Sequence, residues 1–155
     1  MRNFSIQPLT PDRVFLAYPL VRSALAEVTL AGWTAFAGAL LCDEGPRPEG
    51  GILTVANDSG VIVGLVAYRG RGDLVEGKVL DVERLLAFEL LDRQGVAGLI
   101  AEALEAEAAR LGCRAIHTCL PVVEGEQRPG WLVALLQARG HHVASMSLCK
   151  RLAAG

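Results

Sequence analysis

Two carboxylates stand two residues apart in a β-rich run, residues 78–88, and they are the first side chains that could do chemistry. Successive side chains of a strand point to opposite faces, so Asp81 and Glu83 should share one face. Val82 and Arg84 should lie on the other face. A carboxylate beside an amine can accept its proton as a general base. An exposed polar face, or an ion pair with an arginine of a neighbouring element, explains the pattern equally well.

The strand leads into a glycine-containing turn and then into the clearest helical pattern of the chain. Between residues 96 and 111 apolar side chains recur every three or four positions, and Gly112 stands where a C-terminal cap belongs. A glycine such as Gly95 lets the backbone approach a phosphate closely, and the amides and dipole of a helix N-terminus favour an anion. The turn is therefore a candidate phosphate site. Gly95 and Gly98 are equally expected if they only permit a tight strand-to-helix connection.

A second glycine run, Tyr68-Arg69-Gly70-Arg71-Gly72, is closer in sequence to a phosphate-binding loop than the turn at Gly95 is. Residues 73–78 after it contain a mid-segment glycine and no sustained helical stripe, so no helix N-terminus is expected there. We rank this run below the turn at Gly95. Its glycines, together with Gly77, should break the chain before the strand at 78–88.

The elements around these residues predict the order β-α-α-β-β-β-α-β-α-β, which is a mixed α/β (α+β) class. Pro19 should kink or divide the first helix. Asn57-Asp58-Ser59-Gly60 joins two β-rich runs and predicts an antiparallel hairpin. The predicted strands are 4–9, 52–56, 61–68, 78–88, 113–120 and 142–152, and the predicted helices are 11–25, 29–41, 96–111 and 130–139.

This order of elements, with Gly95-x-Ala97 between a strand and an amphipathic helix, resembles the GCN5-related N-acetyltransferase (GNAT) superfamily over nearly the whole chain. The resemblance implies one acyltransferase domain, residues 1–155, with a mostly antiparallel mixed sheet that splays between its fourth and fifth strands. It implies acetyl-CoA as co-substrate at that opening and an acetyl group transferred to a primary amine. It also implies that an acid of the fourth strand, Glu83 or Asp81, is the catalytic base; Asp81 lies at the family's spacing before Gly95, and we rank Glu83 first because it has the longer reach and lies nearer the middle of the strand. The cofactor-binding residues that it implies are Leu86, Ala87, Phe88, Arg93, Gln94, Gly95, Val96, Ala97 and Gly98.

Two positions depart from the pattern of the resembled family. Asp92 stands where the family has Arg or Gln, and its carboxylate should repel a pyrophosphate unless it turns away to cap the helix. Leu136 stands where the family has a tyrosine that protonates the departing thiolate, so Tyr68, Tyr18, a cysteine or water would have to replace that acid. The alternative is a catalytically weak or inactive domain that acts as an acyl-CoA-binding or protein-interaction module.

The acceptor is shaped in this family by the first two helices and the neighbouring loops. The helical part is apolar here, with Ala31, Trp33 and Phe36, and acids stand nearby in Asp43-Glu44 and Glu124-Gly125-Glu126. That mixture suits a small amine with an apolar body, and it is equally what a core and solvated loops would contain. The acceptor therefore stays open, and so does the oligomeric state, a homodimer included.

Composition and charge exclude several classes of protein. The chain is 52% hydrophobic with a net charge of −2, so it can bury a core but lacks the basic patch of a nucleic-acid or anionic-membrane binder. The uncharged stretch 28–42 is too short and too interrupted to span a membrane, and the N-terminus does not resemble a signal peptide, so we expect a cytoplasmic protein. The four cysteines are expected as free thiols. His117 and Cys119 lack further ligands at a recognisable spacing, so no metal is assigned.

Overall fold

The computed structural model describes residues 3–42, 48–87, 92–121 and 130–153. Within these ranges no helix combines the length and the apolar character that crossing a membrane requires. The elements are β1 (Ser5–Pro8), a short 3-10 helix (Pro11–Ala17), α1 (Tyr18–Ala24), α2 (Leu30–Leu41), β2 (Gly50–Ala56), β3 (Ile62–Asp73), β4 (Gly77–Ala87), α3 (Arg93–Leu111), β5 (Ala115–Thr118) and α4 (Trp131–Ala138).

The five strands form one sheet in the order β1-β2-β3-β4-β5. The first four strands are antiparallel neighbours, whereas β4 and β5 run parallel. The pairing of β4 with β5 ends at Val82 and Thr118, and β4 continues to Ala87 paired with β3 alone. The mixed, mostly antiparallel sheet therefore splays between its fourth and fifth strands, as the resemblance implied.

Helices cover both faces of the sheet. On one face Leu65 and Ala67 of β3 pack in a core with the 3-10 helix, α1 and α2. On the other face Val66 and Tyr68 pack in a second core with α3. Because both faces are covered, β3 reads as a nearly continuous apolar run instead of an alternating one.

The local signals near the N-terminus and in the hairpin act as predicted. Pro19 lies in the first turn of α1, where it needs no amide partner, and the helical region divides into a 3-10 segment and α1 just before it. Thr29 caps α2 by accepting a hydrogen bond from the Gly32 amide. Gly60 closes the hairpin turn with a φ of 78°.

The prediction that Gly70 and Gly72 break the chain is wrong. Both lie inside β3, where Gly70 is opposite Leu80 and Gly72 is opposite Lys78. The turn comes later, at residues 74–76, because the Asp73 carboxylate accepts hydrogen bonds from two amides of the turn. A glycine that keeps its ladder partners does not end a strand.

The predicted final strand, residues 142–152, is also not formed. Residues 142–153 are described, but they pair with none of the five strands. Alternating apolar residues favour an extended backbone, yet they do not by themselves supply a neighbouring strand on which to pair.

Candidate active site at the splayed end of the sheet

A β-bulge marks the place where β4 leaves β5. In the register of β4 on β3, Val82 is opposite Tyr68 and Arg84 is opposite Ala67, so Glu83 is the extra residue. A bulge leaves its extra residue out of the hydrogen-bonded ladder and bends the strand locally. Glu83 therefore stands at the entrance of the opening between the two strands.

The bulge changes the faces that simple alternation predicts. Val82 packs in the core beneath α3, whereas Arg84 lines a cavity on the α1–α2 side of the sheet. The prediction that Val82 and Arg84 share a face is wrong, because the extra residue at Glu83 shifts the alternation by one position.

The two candidate acids have different surroundings. The Asp81 carboxylate is 3.2 Å from Nε of Arg71, which is the ion pair that the sequence left open as an alternative. Glu83 is partly exposed, and its side chain forms no hydrogen bond or ion pair with any residue that the structure describes. Glu83 is thus the acid that is available to a substrate.

A cavity of about 370 Å³ lies on the α1–α2 side of β4. Trp33 and Phe36, which stack with ring centroids 6.1 Å apart, form part of its wall, and Glu27 and Arg84 are its charged residues. The remaining lining residues come from α1, the loop before α2, α2 itself, β3 and β4, namely Val21, Leu25, Val28, Thr29, Gly32, Leu65 and Leu86. The acids at 43–44 and 124–126 lie outside the described residues.

Asp92 caps α3, as the sequence allowed. Its Oδ1 accepts a hydrogen bond of 3.0 Å from the Gly95 amide. A side chain at Gly95 would place Cβ only 2.5 Å from the other carboxylate oxygen, so the cap itself requires glycine there. The first-turn amides of Arg93 and Gln94 have no partner within the helix and remain available to an anion.

The Arg93 side chain is engaged with an aromatic ring. Its guanidinium lies 4.8 Å from the centre of the Trp131 ring, so the first turns of α3 and α4 meet. Such a cation–π contact is worth about 0.5–1 kcal/mol at an exposed site. Gln94 is exposed and has no side-chain partner among the described residues.

The start of α3 is held over the splayed end of β4 by close packing. A Cβ at Gly64 of β3 would come within 2.6 Å of Val96, and Gly64 is opposite Ala87, the last residue of β4. Of the other predicted cofactor residues, Ala97 is buried and Gly98 has open space where a Cβ would stand. Phe88 lies outside the described residues.

The residues that could replace the acid missing at Leu136 lie in different parts of the structure. Tyr68 donates to the Glu107 carboxylate, and burial, reinforced by Glu107, raises the pKa of Tyr68 to about 12. Glu107 lies 14 residues after Arg93, about 20 Å along the helix. The Tyr68 hydroxyl is therefore far from the first turn of α3, where the phosphate site was predicted.

The hydroxyl of the other tyrosine is also engaged in a hydrogen bond. Tyr18 donates to the Val28 carbonyl. Leu136, at the position of the family's tyrosine, is buried in α4. Cys119 is an exposed free thiol whose amide bonds to the Val82 carbonyl, at the point where β4 and β5 diverge. A cysteine, such as Cys119, and water are the acids that stay open.

The second glycine run does not form a phosphate site of the kind considered. It lies within β3 and precedes no helix. The His117 ring is 3.4 Å from the Arg71 guanidinium, and the described residues contain no group of three metal-ligating side chains.

Comparison with known proteins agrees with this geometry. The sequence model of the acetyltransferase (GNAT) family matches residues 18–128, which is more than half of the chain. The chain belongs to the GNAT family. No curated protein matches it.

Solved GNAT structures share the fold over nearly the full length. An aminoglycoside antibiotic 6′-N-acetyltransferase from Acinetobacter baumannii has 16% identity and a TM-score of 0.74, covering 99% of this chain and 100% of its own. An aminoglycoside N-acetyltransferase in complex with CoA has 16% identity and a TM-score of 0.75, and the match covers 99% of this chain and 97% of that one. A ribosomal-protein-alanine N-acetyltransferase from Brucella melitensis has 18% identity and a TM-score of 0.71, and the match covers 97% of this chain and 99% of that one. At these identities the likeness establishes the fold.

Three site features of this GNAT chain were missed by the sequence reasoning. The bulge at Glu83 leaves no signal in one sequence, because it is visible only in the register with β3. The contact of Arg93 with Trp131 joins two residues 38 positions apart. The place of Arg84 in the cavity follows from the bulge, since regular alternation would put it on the other face.

Proposed function

We propose that the chain is an acetyl-CoA-dependent N-acetyltransferase whose single domain, residues 1–155, transfers an acetyl group to a primary amine. The observation that carries the proposal is a juxtaposition at one end of the sheet. There the first turn of α3 presents free amides, the β4–β5 opening begins, and a cavity large enough for a small molecule adjoins β4. Family membership supports the same chemistry.

The co-substrate would lie in the opening with its pyrophosphate at the start of α3. The amides of Arg93 and Gln94 and the helix dipole supply the attraction for the phosphates. Leu86 and Ala87 belong to the part of β4 that β5 leaves uncovered, so they would line the opening beside the thioester arm. No metal has a role in this proposal.

Glu83 would act as the base. An amine must lose a proton before or as it attacks a thioester, and a positioned carboxylate can take that proton directly or through water. Glu83 stands at the bulge with no partner among the described residues, whereas Asp81 already holds Arg71. These surroundings support ranking Glu83 ahead of Asp81.

The cavity beside β4 would hold the acceptor. Its wall is mostly apolar, which suits an amine with an apolar body. Arg84 lines the same cavity and forms no ion pair with any described residue, so its guanidinium is free to bind a carboxylate or phosphate of the acceptor. The acceptor would therefore be an amine that also carries an anionic group.

A matched pair of acceptors tests this specificity. Acetyl transfer to an apolar α-amino acid should exceed transfer to the corresponding decarboxylated amine by kcat/KM. In Arg84→Met that preference should shrink about 10- to 100-fold, the range expected for a lost charge-assisted pair. Arg22→Met is the control, because Arg22 is exposed on α1 and does not line the cavity. Equal use of both acceptors by the unmodified protein would overturn the assignment of Arg84 and leave the acetyltransferase proposal intact.

A second function is favoured by the residues that depart from the family pattern. Asp92 places a carboxylate at the helix start, and Leu136 cannot protonate a leaving thiolate, so the domain would bind an acyl-CoA without efficient turnover. Because acetyl-CoA is an intracellular metabolite, either function would place the protein in the cytoplasm.

One set of measurements separates these functions. Acetyl-CoA should stabilise the protein in a thermal shift assay, while acetyl-pantetheine, which lacks the pyrophosphate, and free acetate should stabilise it much less. Thiol release with a panel of amines then distinguishes an enzyme from a binder. Equal stabilisation by acetyl-CoA and acetyl-pantetheine would remove the start of α3 from the site.

A further inference from the structure

Thr118 carries a buried hydroxyl without a hydrogen-bond partner. Of the buried side-chain nitrogen and oxygen atoms in the part of the chain that the structure describes, its Oγ1 alone lacks one. Thr54 of β2, which is 2% exposed, has its hydroxyl 3.4 Å from the Gln7 carbonyl oxygen. A buried polar group without a partner costs free energy, so the hydroxyl of Thr118 calls for an explanation.

Thr118 stands at the vertex of the opening, the point where β4 and β5 diverge. It is the last residue of β5 and lies opposite Val82 in the final register of the two strands. The Cys119 amide still donates to the Val82 carbonyl at 3.2 Å, and no later backbone bond joins the two strands within the described residues. The unpartnered hydroxyl therefore belongs to the vertex.

The Thr118 side chain lies on the α3 side of the sheet. Ile116, two residues earlier in β5, packs against the core beneath α3, and alternation along a strand puts Thr118 on the same face. The cavity proposed for the acceptor lies on the other side, between β4 and the helices α1 and α2. An amine in that cavity and the Thr118 hydroxyl would approach the vertex from opposite sides of the sheet.

The proposed binding mode of acetyl-CoA brings its reacting end to this vertex, and this step rests on the proposed function. With the pyrophosphate at the start of α3, the arm would run back along β4 from Ala87 to Val82, about 17 Å in an extended strand. About 13 bonds separate the pyrophosphate from the sulfur, or about 16 Å of extended chain. The thioester would then reach Thr118.

We propose that the Thr118 hydroxyl donates a hydrogen bond to the sulfur that leaves when the amine attacks the thioester. In that reaction the C–N bond forms, Glu83 takes the amine proton, and the C–S bond breaks with its electron pair left on sulfur. Thr118 keeps its own proton, because an alcohol is a much weaker acid than a thiol of pKa about 8.5. Water then protonates the thiolate, and the hydroxyl supplies the stabilisation that Leu136 cannot.

Thr118→Val tests the premise in the free protein. Valine has nearly the same shape and no hydroxyl, so loss of an unpartnered group should leave the urea midpoint equal or higher. The matched control is Thr54→Val, which removes a hydroxyl that has a partner and should lower the midpoint. A fall in Thr118→Val as large as that in the control would show that the hydroxyl already has a partner, a bound water included, and would overturn the proposal.

The ionisation of bound CoA tests the contact itself without turnover. Carbon-13 NMR of CoA labelled beside its sulfur gives the pKa of the thiol in the complex. A hydrogen bond to the thiolate should hold that pKa about 1 to 2 below its value in the Thr118→Val complex, and Thr118→Ser should retain the low value. Desulfo-CoA, which lacks the sulfur, should bind the unmodified protein and Thr118→Val equally.

Acetyl transfer gives a further readout. The single-turnover rate with acetyl-CoA should fall about 10- to 100-fold in Thr118→Val and should be largely kept in Thr118→Ser. The same thiol pKa in the complexes of the unmodified protein and Thr118→Val would overturn the role of Thr118, whatever the rates, and would leave the acetyltransferase proposal intact. Failure of the unmodified protein to bind CoA would instead refute the proposed function, and this inference with it.

Discussion

Removing the negative charge of Asp92 is the most informative single change at the start of α3. In Asp92→Asn the side-chain oxygen that accepts from the Gly95 amide is kept, while the negative charge is removed. If a pyrophosphate binds the neighbouring amides, acetyl-CoA affinity should rise, because the anion no longer faces a carboxylate. The cap is preserved, so the free energy of unfolding should fall by less than about 1 kcal/mol, the contribution of a charge to the helix dipole.

The size of the effect follows from the cap geometry. The carboxylate oxygen lies 3.0 Å from the Gly95 nitrogen, and a phosphate on adjacent amides would lie at a similar distance from them. The two charges would then be about 5 Å apart, which corresponds to about 1 kcal/mol in bulk water and about 3 kcal/mol at an effective dielectric constant of about 20. Affinity should therefore increase by about 5- to 150-fold.

Titration calorimetry with acetyl-CoA measures this change, and the gain should diminish as ionic strength rises. Glu102→Gln is the matched control, since Glu102 is an exposed acid of the same helix that takes no part in the cap, and its loss changes the net charge equally. An unchanged or weaker affinity in Asp92→Asn, or an equal gain in the control, would refute phosphate binding at the start of α3.

Three further predictions concern turnover and stability. Glu83→Gln should lower turnover about 10²- to 10⁴-fold with acetyl-CoA binding retained, and Asp81→Asn should have a smaller effect on kcat; equal effects would contradict the ranking of the two acids. Because the pKa of Tyr68 is raised from 10.0 to about 12, the unfolded chain loses this proton first, so the free energy of unfolding should fall between about pH 10 and 12. Tyr68→Phe should lack that part of the fall while keeping full turnover at neutral pH, which denaturant unfolding and a rate assay can check. Gly98→Ala should stabilise the protein by up to about 1 kcal/mol, whereas Gly95→Ala should destabilise it by about 1 kcal/mol because its Cβ displaces the Asp92 cap; urea midpoints that moved the same way would contradict this account of the cap.

Local chemistry made much of the fold predictable. Pro19 divides the first helical region, Gly60 closes the hairpin turn, and Gly112 ends α3 with a φ of 70°. Each of these residues acts through its own backbone preference, which needs no knowledge of distant contacts. For that reason the order of elements up to α4 is confirmed.

What failed depends on partners far away in the chain. Gly70 stays in β3 because β4 pairs with it there, and the strand expected at 142–152 lacks a neighbour among the described residues. The bulge at Glu83 exists only in the register between two strands. A single sequence carries the propensity of each residue but not the identity of its partner.

The same division applies to the candidate site. The turn at Gly95 and the capping role open to Asp92 could be predicted, because both act within one helix turn. The contact of Arg93 with Trp131 and the place of Arg84 in the cavity could not, because each requires elements that the chain brings together only on folding.

The central claim is that this GNAT chain moves an acetyl group from acetyl-CoA to an amine. Mass spectrometry with isotope-labelled acetyl-CoA and an apolar amino acid as acceptor tests it directly. The account predicts one labelled N-acetyl product for each CoA released. In Glu83→Gln, product formation and CoA release should fall by the same factor. Tight binding of acetyl-CoA with no labelled product from any amine of a broad panel, or CoA release without acetylated amine, would contradict it.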